Sequence, residues 1–500
     1  MDKTNKGVLR RRETRTSITL LVAIVAIAAI ASLYLSRAGI LAEWGLAIII
    51  LAITGMVISK INGFNGSFGL YLLGSRHGTG FVDWLAGRKD NFWEIMADWG
   101  LAAGFGALSY FLFKGKISKR MIAIGIISDL LILYFAIPAL FFSLRFINIP
   151  QISSRLGNIP ISATPSEFFG LVLDYATSTF SVLGAVFILI GGYSMFSVGF
   201  LAFGALEILY GISSFIFVSI TTAKPNYAIL NSQIPGASPV IPGITIPLVS
   251  GIIALVIILV AHEFSHGVLS RRAKVKLKSI GVVLFGIIPM GAFVEPDEKQ
   301  VVKLPNIKQN RIFIAGVSSN LILSAVFLVL TVLMLLYVMP AVTTSRIVVS
   351  GVIPNTPANG TIRAGTVIYA WDGHPVGNIT SLESAAAGDG PFSLVSLSTN
   401  LGNYSIRANQ SGKIGVYLSS ETVPISGGAR YEAVYFVYQL FALSFMLNFF
   451  VGIFNLLPAP FFDAWRIYGI NVKNKNLIKY LSAIVIVSII LNILPWLWTI

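Results

Sequence analysis

The stretch ALVIILVAHEFSHGVL, residues 254–269, sets two imidazoles and a carboxylate inside an otherwise apolar run. His262 and His266 stand four apart and so share one face of a helix, with Glu263 beside them. At that spacing two imidazoles chelate one zinc ion while the glutamate serves as general base toward the water the metal activates. Three ionisable groups within five residues of hydrocarbon-buried helix are costly unless they have a task there. The competing reading, a polar patch satisfied by neighbouring helices, is therefore the weaker one. The rest of the chain says that this helix lies in a bilayer: of 500 residues 55% are apolar, only 11% are charged, and the mean hydropathy is +0.80. A soluble domain carries about 25% charged residues. Soluble enzymes, collagens, coiled coils and disordered chains are excluded on that ground.

Apolar runs long enough to span recur at about 17–35, 39–58, 121–144, 168–191, 194–219, 246–269, 312–338, 434–457 and 479–498. The expected architecture is a polytopic α-helical membrane protein of about nine or ten spans. The first run follows Lys3, Lys6, Arg10, Arg11, Arg12 and Arg15 and reads as a retained anchor with a cytoplasmic N-terminus. Gly191 and Gly192 make the 168–219 pair a hairpin. A weaker, glycine-interrupted run spans Ile95 to Phe113. If it is re-entrant or interfacial, the clusters at Lys114–Arg120 and Arg271–Lys278 both face the cytoplasm, as charge bias requires. The formal charge of +15 thus reads as topology and not as a nucleic-acid surface. Between about Ser345 and Gly428 the chain changes to short alternating runs (IVVSGVI, TVIYAW, FSLVSL, KIGVYL) separated by Pro, Gly and Asn. That pattern predicts a small β-rich domain inserted between two spans and placed outside the cytoplasm. Four Asn-x-Ser/Thr triplets, at Asn359, Asn378, Asn403 and Asn409, fall within it.

Histidine is scarce, with His77 and His374 completing the set of four, and cysteine is absent. The third protein ligand of a tetrahedral zinc should then be a carboxylate. The intramembrane candidates are Asp129, Glu207 and Asp463. Asp463, on FNLLPAPFFDAWR, follows a span that returns to the side on which His266 lies, and Pro458 and Pro460 break the helix before it. An interfacial pair with Arg466 is the bland alternative for this residue. Nine residues separate His262 from Arg271, which sets the metal ~14 Å in from the basic cytoplasmic flank at the helical rise.

HEFSHG at 262–267 and NLLPAPFFD at 455–463, separated by a span and the β-rich insert, resemble the site-2 protease family of intramembrane zinc metalloproteases. PMGAFVE at 289–295 is similar to that family's membrane-dipping β-hairpin loop, and AGVSSN at 315–320 to its Ala-Gly-Pro-x-x-Asn motif. The insert resembles a PDZ domain through SGVIPNTPANGTIRAGTVIYAWDGHPV. The resemblance covers roughly 240–498 and divides the chain into added spans (1–240), a first protease segment (241–344), the PDZ-like domain (345–428) and a second protease segment (429–500). It implies His262, His266 and Asp463 as ligands of one catalytic Zn2+ and Glu263 as general base. It also implies Asn455, Asn320, Gly291 and Phe293 around the substrate or the developing oxyanion. Departures are Ala464, Val317 and Thr366, where the family has Gly, Pro and Asp respectively.

What the resemblance implies is a membrane-embedded endopeptidase that cuts a transmembrane segment of a protein substrate, as in regulated intramembrane proteolysis. Its partners would be that substrate, the lipid bilayer and a peptide at the PDZ-like domain, with no nucleic acid. The active-site opening is expected to face the cytoplasm. A zincin with a glutamate third ligand fits poorly, because Glu295, Glu298, Glu383, Glu421 and Glu432 are not deep in any span. The alternative from another class is a zinc-binding transporter or receptor without proteolytic activity.

Overall fold

The apolar runs fold as helices, because in hydrocarbon each backbone N–H and C=O must find its partner within the segment. The computed structural model describes residues 3–35, 40–75, 79–88, 90–152, 163–425 and 428–497; His77 lies outside them. The chain opens with α1 (Lys3–Leu35), α2 (Ile40–Asn62), β1 (Gly66–Ser67), β2 (Leu70–Ser75), α3 (Thr79–Ala86) and α4 (Phe92–Phe105). It continues with α5 (Lys119–Ser143), α6 (Thr179–Thr222), α7 (Leu248–Arg272), the hairpin β3 (Leu277–Phe285) and β4 (Ile288–Pro296), and α8 (Asn306–Leu333). Strands β5 (Thr343–Val352), β6 (Val367–Trp371), β7 (His374–Pro375), β8 (Leu394–Thr399), β9 (Gly402–Arg407) and β10 (Val416–Pro424) follow. The chain then returns to helix with α9 (Ala429–Phe454), α10 (Asp463–Asn471) and α11 (Lys475–Leu497). Among the described residues eight helices are long and apolar enough to cross a membrane, compared with the nine or ten expected.

The difference lies around 168–191. A helix over Pro165–Thr177, started by a Thr164–Glu167 capping box, ends at Ser178 in extended backbone. Helix α6 begins at once and runs 44 residues, with Gly192 (φ 60, ψ −159) breaking it inside. The chain turns back there, as the Gly-Gly pair predicts: the Phe180 and Phe203 rings lie 6.2 Å apart, and a Cβ on Gly199 would stand 2.4 Å from the Phe187 ring. Gly192 is needed both for its positive φ and because a Cβ would meet the Ala103 carbonyl at 2.2 Å.

The run from Ile95 to Phe113 is not one helix. It divides into α4 and a five-residue helix, Leu108–Leu112, at Gly106, whose φ is 51. Fourteen residues of α4 extend about 21 Å, short of the ~30 Å of hydrocarbon. Small residues let α4 approach its neighbours closely: a Cβ on Gly100 would lie 1.8 Å from Ser318 Oγ, and one on Gly104 would lie 2.8 Å from Leu456.

Two compact units share the chain. The first comprises Met1–Leu133, Thr179–Ala325 and Ser444–Ile500, and the second comprises Tyr134–Ser178 and Val326–Leu443. Inside the first, four strands form a sheet in the order β1-β2-β3-β4. Residues 70–75, far upstream of the HEFSH pentapeptide, pair antiparallel with β3 from Leu70↔Phe285 to Ser75↔Ile280. Within the second, the remaining strands run β10-β5-β6-β8-β9, with β7 on β6. Ile347, Val349, Ile368, Trp371, Val395 and Leu397 form its buried core. Ile347 with Val349 and Val395 with Leu397 show the period-two pattern of the sequence, whereas Ile368 and Trp371 stand three apart across a register shift in β6.

Candidate metal centre

Helix α7 starts after Pro247 and stops at Ala273, with Arg271 and Arg272 in its last turn, where cations complement the helix dipole. Each arginine has a specific partner from upstream. Arg271 donates to both carboxylate oxygens of Asp83, at 2.9 Å for the Nη2 bond. Arg272 donates to Glu94 at 2.7 Å and to the carbonyls of Arg88 and Asp90 at 2.8 and 2.7 Å. These bonds fasten the polar end of α7 to the segment from α3 to α4.

One turn apart on α7, His262 and His266 bring their Nε2 atoms within 3.2 Å. Asp463 Oδ2 stands 3.0 Å from the first and 3.3 Å from the second. Four ligands at about 2.0–2.1 Å from a tetrahedral zinc stand about 3.3–3.4 Å from one another, so three of the corners are already close to place. The outer nitrogen of His266 agrees with that use. His266 Nδ1 is 2.7 Å from the Ile312 carbonyl oxygen; the carbonyl only accepts, so Nδ1 carries the hydrogen and Nε2 keeps its lone pair for a metal. Among the described residues this is the one grouping of three or more His, Asp or Glu side chains that could hold an ion.

Asp463 reaches the helix pair from an irregular loop. Asn455 ends the helical stretch, its side-chain amide donating to the Val451 carbonyl at 3.0 Å, while its backbone carbonyl accepts from Ala464 N at 3.0 Å. That bond closes the loop through Pro458 and Pro460, so that Asp463 opens α10. Phe461 within the loop takes φ 81. Ala464, which replaces the family's glycine, is buried and has no positive φ, so the departure costs no backbone strain. Asn471 at the far end of α10 donates to Asn310 Oδ1 at 2.9 Å and ties α10 to α8. Arg466, the alternative partner, pairs with Glu298 at 2.9 Å instead.

Glu263 is half-buried, and its Oε2 accepts from the Val294 N–H of β4 at 3.0 Å. The general-base candidate therefore sits on a strand edge that no other described strand occupies. Phe293 pairs with Gly281, and its ring covers Gly74 of β2, whose added Cβ would meet it at 3.3 Å. Gly291 pairs with Val283 beside a bulge, and a Cβ there has nothing nearer than 3.9 Å. Asn320 is fully buried, with Nδ2 3.0 Å from His262 Nδ1. Of the other carboxylate candidates, Glu207 is exposed, and Asp129 is fully buried with neither oxygen bonded among the described residues.

Sequence reasoning missed the acids Asp83, Glu94 and Asp98. Asp98 accepts two bonds of 2.7 Å from Arg311, next to the Ile312 carbonyl that holds His266. The available signal was density: four of the chain's 21 acidic residues fall between 83 and 98.

Residues 250–491 match the family described as peptidase family M50. A protein of Methanocaldococcus jannaschii, named only as uncharacterized protein MJ0971, is 28% identical over 263 residues, which span 51% of this chain and 66% of that relative. The match begins just inside α7 and ends within α11, so it contains both histidines, Glu263, the hairpin, Asn320, Asn455 and Asp463. Residues 250–491 of this integral membrane protein belong to peptidase family M50, the site-2 protease family.

Proposed function

We propose that the chain is an intramembrane zinc endopeptidase that cleaves a transmembrane segment of a protein substrate, in the manner of regulated intramembrane proteolysis. The observation that carries this reading is the convergence of His262 Nε2, His266 Nε2 and Asp463 Oδ2 within 3.3 Å, beside Glu263, on a helix apolar enough to lie in a bilayer. Two imidazoles and one carboxylate are a donor set that suits zinc and leaves it one open position. When bound, the metal supplies the Lewis acidity that makes water a nucleophile near neutral pH.

The protein's own groups do the rest. Glu263, oriented by the Val294 N–H, takes the water's proton and later delivers it to the departing amine. The substrate must be extended at the cut, since a helix hides its carbonyls in its own hydrogen bonds. The open edge of β4 offers a partner for it: Val294 N–H points outward, and by the period of two so do the N–H and C=O of Ala292. Gly291 and Phe293 shape that strand, and Asn455 stands beside the loop that carries Asp463.

The charge clusters turn the N-terminus and the active-site opening toward the cytoplasm and the β-rich module away from it. That module, PDZ-like in its sequence, would take a peptide or exclude substrates that still carry a bulky domain. Proteoliposomes holding a transmembrane reporter test the assignment: Glu263→Gln should abolish cleavage and keep zinc, and a fully active variant would overturn it. Zinc flux without cleavage would favour the transporter reading instead.

A further inference from the structure

We propose that Asn320 is a positioning residue that sets the tautomer of His262, with the face of α8 serving as the template against which both imidazoles of α7 are oriented. This rests on the metal-centre reading above and adds a role for a residue on another helix. Ile312, Gly316 and Asn320 stand four apart and so line one stripe of α8. The Ile312 carbonyl holds His266 Nδ1 at 2.7 Å, the Asn320 amide holds His262 Nδ1 at 3.0 Å, and Gly316 between them leaves room for the His262 ring.

A metal on His262 Nε2 requires the proton on Nδ1, because the alternative is an imidazolate. The group facing Nδ1 must then accept. An amide offers either oxygen or nitrogen to the same point in space, and which one faces His262 is set by the bonds it can make. Asn320 Oδ1 is buried and has no partner among the described residues, so turning the amide over breaks no bond to the oxygen and brings that oxygen onto Nδ1. Asparagine at 320 therefore serves His262 in both conditions. It donates when Nδ1 is bare and Nε2 is protonated toward Asp463, and it accepts when Nε2 holds a metal. Partners of this kind that orient a ligand typically govern 10–100-fold in metal affinity.

The test is zinc affinity of the full-length protein in detergent, measured by chelator competition, with near-ultraviolet circular dichroism of each apo variant as the check on folding. Asn320→Leu, which keeps volume and removes the acceptor, should weaken zinc binding about 10–100-fold. Asn320→Asp, which keeps the acceptor and removes the donor, should bind within about threefold of the parent, as carboxylate–histidine–metal triads do. Zinc binding by a folded Asn320→Leu as tight as the parent's would overturn the role, and so would an Asp variant as weak as the Leu one. If the Leu variant does not fold, the Asp variant decides alone, because an amide needed only to donate or to bridge helices predicts loss there. A parent protein that binds no zinc would overturn the metal centre itself, and this role with it.

Discussion

Gly316→Ala places one methyl group where the His262 ring leaves no room. A Cβ at 316 would stand 2.4 Å from His262 Nε2, 2.5 Å from Cε1 and 2.6 Å from Cδ2. Comfortable contact is about 3.5–4.0 Å, so the ring must retreat by about 1 Å or the helices must part. Retreat is blocked, because Nδ1 is held at 3.0 Å by Asn320 and the opposite edge faces Asp463 and His266 at 3.0 and 3.2 Å. A metal ligand tolerates displacements of only about 0.2 Å. Overpacking a well-filled site costs about 1–3 kcal/mol. If that cost falls on the metal-bound geometry, zinc binding weakens about 5–150-fold, since each 1.4 kcal/mol is tenfold. Chelator competition on purified protein reads this directly. Gly469→Ala on α10, where an added Cβ meets nothing within 4 Å, is the control and should leave zinc affinity unchanged. A Gly316→Ala protein that binds zinc within twofold of the parent would refute the reasoning, because the ring would then be free to move.

Three further outcomes follow from other parts of the molecule. In a double-mutant cycle, Asp98→Ala and Arg311→Ala should couple by about 1–2 kcal/mol in denaturation, since the bidentate pair is only 21% and 26% exposed; additive effects would show that the pair holds nothing. Phe461→Gly should stabilise the protein by about 1 kcal/mol, because a 99% exposed phenylalanine at φ 81 pays strain for no packing; a lower melting temperature would contradict this. In the β-rich module, burial and the neighbouring Asp372 push the Asp389 carboxyl up, against the Trp371 indole that donates to it at 2.8 Å. Asp389 therefore stabilises the module fully below the ordinary carboxylate range and loses that contribution as pH rises through its folded value. Asp389→Asn should accordingly raise hydrogen-exchange protection of β6 and β8 at neutral pH and not at pH 3; equal effects at both would exclude the mechanism.

The histidines of the His262–His266–Asp463 cluster were conspicuous in the sequence because hydrocarbon makes polar groups stand out: three ionisable residues within HEFSH had to answer for their cost. Asp463 was legible through the prolines that break the helix before it. The hairpin at Gly192 was legible too, since a Gly-Gly pair inside an apolar run has few other uses. What escaped was set by contacts between distant segments. The break at Ser178 carries no glycine or proline of its own; there the backbone turns extended and the Ser178 N–H donates to the Tyr175 carbonyl. Strand β2, LYLLGS, is too short and too uniformly apolar to announce a strand, and its pairing with β3 gives it a register. Asn320 was expected along the substrate path on the strength of its motif; its place behind His262 depends on the rotation of α8 against α7, which no spacing within one helix reveals.

The upstream segment illustrates why a family match need not mark the limits of a site. Asp98 lies some 150 residues before the matched region, yet it grips Arg311 with two bonds of 2.7 Å. The next residue, Ile312, presents the carbonyl that determines which nitrogen of His266 is free. Asp83 and Glu94 hold the two arginines one to two turns beyond His266 on α7. Val82, fully buried, and the Phe81 ring, 5.5 Å from that of Phe264, pack the same stretch against α7. Both helices that orient the imidazoles are thus anchored from one short acidic segment, α3 to α4. The small residues of α4 bring it against Ser318 and Leu456, close to Asn320 on α8 and Asn455 at the end of α9. A rigid brace is what ligand positioning within tenths of an ångström demands, and here it is built by residues that carry no catalytic motif.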